Sequence, residues 1–246
     1  MDGFNQFTFF SRWCKISLMR VLIVFVIFLF SQLSGMTLKE KFLEGEVGSY
    51  IVTEQNQLIT LLHLHSKEGT TITFEEISIP YHLGKKLQWK EWVAGGAKGH
   101  TSWIHYTLDL EKGEVKECYS LSRKSLIPAD ELEAFLLPLI SLSLKELSEK
   151  ERLQVGASPK AGEVSEKLWG PPQVLEGKRV SDPAYQVYTA RWPADSTELS
   201  GKPIVLYFDE TRSTFPFPYW LQARDGAIKF KIRALDSGTG MKSKRL

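Results

Sequence analysis

His63 and His65, separated by Leu64, are the residues whose type and spacing come closest to chemistry. On an extended strand, side chains at i and i+2 point to one face. The two imidazoles would then stand side by side, as ligands of one metal ion must. His82, His100 and His105 are the sources of a third nitrogen. The pair alone falls short of a metal site, because no cysteine cluster and no carboxylate at a ligand-like spacing accompanies it. The expectation is two surface histidines on the polar face of a strand whose Leu62 and Leu64 face the core, with no metal and no cofactor. A metal-dependent hydrolase using His63 and His65 is the alternative.

Leu235-Asp236-Ser237-Gly238-Thr239 resembles the aspartic-protease active-site motif. That resemblance implies two such aspartates sharing a proton, one of them activating water. The chain departs from the pattern: eight residues follow Gly238, and no second Asp-Ser/Thr-Gly occurs. The motif is therefore expected to open a disordered basic tail over 237–246. Gly95-Gly96-Ala97-Lys98-Gly99 lacks the spacing and the following helix of a phosphate-binding loop, and reads as a turn. No Gly-x-Ser-x-Gly elbow is present. No catalytic residue is expected, and the chain reads as a non-enzymatic protein.

Phe215, Phe217, Tyr219 and Trp220 gather around Pro216 and Pro218, which forbid a regular central strand. In an extended chain Phe215, Phe217 and Tyr219 line one side. These four are the candidate ligand-binding residues: a semi-rigid aromatic ribbon for an apolar ligand such as a lipid chain, or for an envelope partner. The bland alternative is a cover for the core where two strands meet.

The elements that must position these residues begin after a leader. Residues 21–30, VLIVFVIFLF, follow Arg12, Lys15 and Arg20 and precede the small, polar exit Ser31-Gln32-Leu33-Ser34-Gly35. Basic lead-in, apolar run and small exit are the parts of a secretory signal. As a helix the run rises about 15 Å, half of a membrane's ~30 Å hydrocarbon core. Residues 1–35 are read as a signal peptide or an uncleaved N-terminal anchor, with Met19 as an alternative start. The expected location is the periplasm or cell envelope, with membrane contact through the leader if it stays attached.

Without residues 1–35 the chain loses three of its 31 basic and one of its 29 acidic residues, leaving 28 of each. That balance argues against a nucleic-acid partner, which calls for a basic face. Of two cysteines, Cys14 falls in the leader and Cys118 remains. An exported protein with one cysteine has no internal disulfide, and Cys118 reads as a small buried side chain.

The body alternates in the manner of strands over 49–53, 58–65, 70–79, 101–110, 115–122, 184–192, 203–209, 219–224 and 227–234. On the 101–110 strand Trp103, His105, Thr107 and Asp109 share one face, and Ile104, Tyr106 and Leu108 the other. Arg224-Asp225-Gly226 reads as a hairpin turn. Residues 154–163 read as a loop. One long helix is predicted over 129–151, opened by Pro128 and kinked at Pro138, with Leu132, Phe135, Leu136, Leu139, Ile140, Leu144 and Leu147 as its apolar stripe.

The fold class is α+β: mostly antiparallel sheet, curved or half-barrel, with that long kinked helix packed on it. The β-rich domain spans 36–236, with two related halves, 36–128 and 164–236, as an option and the helix as the joint. This layout resembles the periplasmic lipoprotein carriers and lipid-binding scaffolds, which implies an apolar ligand beneath a helical lid. A structural envelope protein without a small-molecule ligand is the remaining alternative.

Overall fold

Period-two alternation governs the chain from Tyr50 onward, and a computed structural model shows its outcome for residues 36–155, 167–223 and 230–243. These belong to one compact unit, Met36–Leu246. The leader, the turn at 224–226 and most of the loop at 154–163 lie outside the described residues.

The first strand, β1 (Met36–Thr37), runs into helix α1 (Leu38–Glu44) through a reciprocal capping box. The Glu40 backbone N–H donates to Thr37 Oγ1 at 3.3 Å, and the Thr37 N–H to Glu40 Oε2 at 2.7 Å. Strands β2 (Tyr50–Gln55), β3 (Leu58–Glu68) and β4 (Thr71–Pro80) follow as hairpins. Two short helices, α2 (Tyr81–Gly84) and α3 (Trp89–Ala94), come next. The chain returns as β5 (Ser102–Asp109), β6 (Glu114–Ser120) and β7 (Ser125–Leu126).

Helix α4 (Asp130–Ser141) then leads into β8 (Ser143–Glu146) and a single 3-10 turn, Glu149–Glu151. Two small ribbons follow, β9 (Gln154–Val155) with β10 (Lys167–Leu168), and β11 (Val174–Leu175) with β12 (Lys178–Arg179). Strands β13 (Tyr185–Arg191), β14 (Pro203–Asp209), β15 (Trp220–Ala223) and β16 (Lys231–Gly238) complete the chain.

Apart from the ribbons, the strands form one antiparallel sheet in the order β1-β8-β13-β14-β15-β16-β2-β3-β4-β5-β6-β7. The architecture is thus mostly antiparallel sheet with a few short helices, as the β-rich reading anticipates.

The long helix over 129–151 is corrected. It stops at Ser141, and Leu142 turns extended at φ −61°, ψ 129°. Leu142, Leu144 and Leu147 are buried while Ser143 and Lys145 are exposed. Leu144 and Leu147 satisfy the helical stripe, while Leu142 and Leu144 satisfy a strand's alternation. Pairing decides between them: β8 takes Met36 and Thr37 on one side and Tyr188 and Thr189 on the other. A slot between two strands satisfies its backbone as fully as helix would, and buries the leucines as well.

The tail is corrected too. Asp236, Ser237 and Gly238 are the end of β16 and pair with Val52, Ile51 and Tyr50. Met241, three residues beyond, is buried in the core.

Strands β3 to β5 carry a core on each face. On one side α1 and α4 close a core that includes Phe42, Phe74, Tyr106, Leu136, Ile140 and Phe217. On the other, the helices α2 and α3 lay Trp89, Trp92 and Val93 against Ile59, Leu61, Ile77, Ile79 and Trp103. Helix α2 is pressed close: a Cβ on Gly84 would meet Ile59 Cδ1 at 2.8 Å. That second core changes the standing of the histidines.

Candidate metal centre

Strand register assembles the site. His63 on β3 lies opposite Glu75 on β4, Glu75 opposite His105 on β5, and His105 opposite Tyr119 on β6. On the other flank Tyr50 of β2 lies opposite His63. The five side chains form one transverse row across five strands, since directly opposed residues share a face at about 4.5–5.5 Å between Cβ atoms.

Glu75 is the hub of the row and is fully buried. Its Oε2 accepts from His63 Nδ1 at 2.9 Å, and its Oε1 accepts from His105 Nε2 at 3.0 Å and Trp103 Nε1 at 2.9 Å. Burial alone would push this carboxyl up. The hydrogen bonds from His105, His63 and Trp103, with the charge of His63, outweigh it and hold the group well below the ordinary carboxylate range. A carboxylate only accepts, so each histidine turns an N–H towards it. In a neutral His63 ring this leaves the Nε2 lone pair, and that atom is buried with no hydrogen-bond partner.

His65 reaches the cluster by a backbone irregularity. The β3–β4 ladder pairs Leu64 with Phe74 and then Ser66 with Thr73, so His65 is the extra residue of a bulge. Bulges re-aim side chains and recur beside functional sites. The His65 ring lies 5.6 Å from that of His63 and 4.9 Å from that of His105, between centroids. One ligand atom each from His63, His65 and Glu75 lie within 4.8 Å of one another. Beside them, an open groove of about 430 Å³ is lined by His65, Ser66, Thr73, His105, Thr107, Glu117 and Tyr119. A second bulge, between Thr107 and Leu108 on the β5–β6 ladder, flanks it.

The surface placement of His63 and His65 is therefore corrected. Leu62 and Leu64 do face a core, but so does the opposite side, where His63 is 1% exposed. Of the other histidines, only His105 joins the pair. His100 bonds to the Ala97 carbonyl and Ser122 and packs on Trp103, and His82 is exposed on α2. Glu75 has no signature in the sequence, being 12 residues from His63 and 30 from His105. The one available signal was its place on the same strand face as Thr73 and Ile77.

The aromatic ribbon lies elsewhere. Phe215, Phe217 and Tyr219 are at most 3% exposed. Phe217 packs on Phe42, Phe74 and Phe215, and Tyr219 on Phe215 and Tyr185. The Tyr219 hydroxyl is engaged by Ser237 and Arg212. These three are part of the core that includes Phe42 and Phe74. Trp220 alone borders a pocket, of about 190 Å³, with Leu147, Leu153, Trp169, Val205 and Tyr207. That is below the ~300–1,000 Å³ of small-molecule sites.

Two other motifs prove structural. Asp236 Oδ1 accepts the backbone N–H of Gly177 at 3.1 Å and of Ser237 at 2.8 Å, pinning the β11–β12 ribbon to β16. The Gly95–Gly99 segment is a turn in which the Lys98 carbonyl accepts from Trp92 Nε1. Cys118 is free and buried, as a small apolar residue would be.

Residues 60–181 match the family model described as CT021 protein. The matched stretch contains His63, His65, Glu75 and His105. The solved structure of the hypothetical protein CT021 from Chlamydia trachomatis is similar to this one, with a TM-score of 0.60 and 16% sequence identity. The match covers 85% of this chain and 95% of that one, and at this identity it establishes a shared fold alone. No curated protein matches the sequence.

Proposed function

We propose that this chain binds a divalent transition-metal ion, with His63 and His65 as nitrogen ligands and Glu75 as the carboxylate ligand. The observation that carries this reading is the meeting of donors on the buried row: His63 Nδ1 stands 2.9 Å from Glu75 Oε2, and one ligand atom of His65 completes a set within 4.8 Å. With His63 Nδ1 turned to the metal, Glu75 Oε1 keeps the hydrogen bonds from His105 and Trp103 and Oε2 is free to coordinate. His105 and Trp103 orient Glu75 from behind. Two imidazoles and a carboxylate suit zinc and its first-row neighbours.

Titration calorimetry of the full chain with zinc or nickel chloride tests the reading. One equivalent binds to wild type, and His65→Gln and His63→Ala abolish the binding. His105→Asn, acting through Glu75, weakens it about 10–100-fold. Absence of binding to wild type, or binding indifferent to His65→Gln, refutes it.

The leader pattern of residues 21–30 supports an exported protein of a bacterial periplasm or cell envelope. Mass spectrometry of the mature N-terminus tests this, and a full-length chain in the cytoplasm would refute it. The Trp169–Trp220 pocket supports a second, smaller reading, in which an envelope protein inserts one apolar side chain there. Trp220→Ala removes such binding if this is correct.

A further inference from the structure

We infer that the metal held by His63, His65 and Glu75 keeps an open coordination position that faces the groove, so that a small exogenous donor replaces its bound water. This rests on the metal-binding reading above and goes beyond it by assigning the site to the reactive rather than the structural class. Structural zinc sites are closed by four protein ligands. Reactive ones have three, and leave the fourth position to water or substrate.

Three observations on this chain point the same way. The protein supplies three donors, and the hydrogen bond from His105 Nε2 to Glu75 commits that ring to orienting the carboxylate. The groove begins at the metal-binding side, since His65 belongs to both the donor set and the groove wall. The wall facing it is hydroxylic: Ser66, Thr73, Thr107 and Tyr119 offer hydrogen bonds to a molecule on the metal, and Thr73 and Thr107 bond each other at 3.0 Å. A closed structural site has no use for such a groove.

The ligand class follows from charge. A divalent ion with Glu75 and two neutral imidazoles carries one net positive charge, which a small anionic donor neutralises. Glu117, exposed on the groove wall, opposes large or multiply charged anions. The expected ligand is therefore small and singly charged, or neutral and hydroxyl-bearing.

Cobalt(II) replaces the metal and azide serves as the probe. Wild type loaded with one equivalent of cobalt is titrated with sodium azide and followed by its visible absorption. Azide should shift the bands saturably. Against the uncharged control Glu117→Gln, Glu117→Trp, at an exposed position that tolerates bulk, should raise the azide dissociation constant at least tenfold while cobalt still binds one to one. A cobalt spectrum unmoved by azide identifies a closed site and overturns the inference with the metal reading intact. Azide binding as tightly to Glu117→Trp as to Glu117→Gln overturns the groove as the place of the open position. Failure of wild type to bind cobalt sinks both readings together.

Discussion

His63 Nδ1 lies 2.9 Å from Glu75 Oε2, between side chains that are 2% and 0% exposed. Antiparallel register makes them direct neighbours, and removing either leaves the other's polar atoms without water to replace the bond. Glu75→Gln is therefore expected to cost about 1–3 kcal/mol, because an amide N–H must face one of three incoming N–H groups. Urea denaturation measures it. An unchanged midpoint would mean that the row relaxes freely.

Metal should stabilise the fold through the same residues. An ion present at about 100 times its dissociation constant adds about 2.7 kcal/mol. For a chain of this size each kcal/mol raises Tm by roughly 2–4 °C. Differential scanning calorimetry with and without zinc should show the rise in wild type and none in His65→Gln.

The aromatic ribbon makes a contrary prediction. As a ligand surface, it would tolerate truncation of Phe217. As core, with edge-on neighbours Phe42 and Phe74, Phe217→Ala should cost about 3–5 kcal/mol. Chemical denaturation separates the two, and a loss under 1 kcal/mol would restore the surface role.

Asp236 carries a pH signature. Burial, and then the neighbouring charge of Glu176, raise its carboxyl above the ordinary value, while N–H bonds from Gly177 and Ser237 oppose the rise. An acid with a raised folded-state value destabilises the fold when ionised. That penalty is full at neutral pH, shrinks as pH falls through the folded-state value and is gone below the unfolded one. Asp236→Asn keeps the accepting oxygen without the charge, so it should raise Tm at pH 7, with the gain vanishing near pH 4. A gain independent of pH would remove this explanation.

Gly238 is held to glycine by space. It pairs with Tyr50, and a Cβ there would lie 2.6 Å from Tyr50 Cε1 and 2.7 Å from its hydroxyl. Tyr50 is buried and has nowhere to move. Gly238→Ala should cost about 1–3 kcal/mol, as overpacking does. Gly238→Ala combined with Tyr50→Phe should recover part of the loss in a thermal melt.

The amino-acid sequence by itself determined which residues share a strand face. Trp103, His105 and Thr107 alternate against Ile104, Tyr106 and Leu108, and β3 to β6 and β13 to β16 were legible in that pattern. It also determined that helix would begin near Asp130 and that Cys118 would be buried. Only the tertiary structure decided that the His63 face is covered, since two-residue alternation says nothing about what packs on a face. Helix α3, which brings Trp89 and Trp92 there, and its neighbour α2 are too short for a periodic signal. Register and the bulge at His65 likewise arise from pairing between strands, and they bring Glu75 and His105 to the histidine pair. The end of α4 was settled by the same pairing, because Leu144 fits helix and strand alike until β1 and β13 offered a slot.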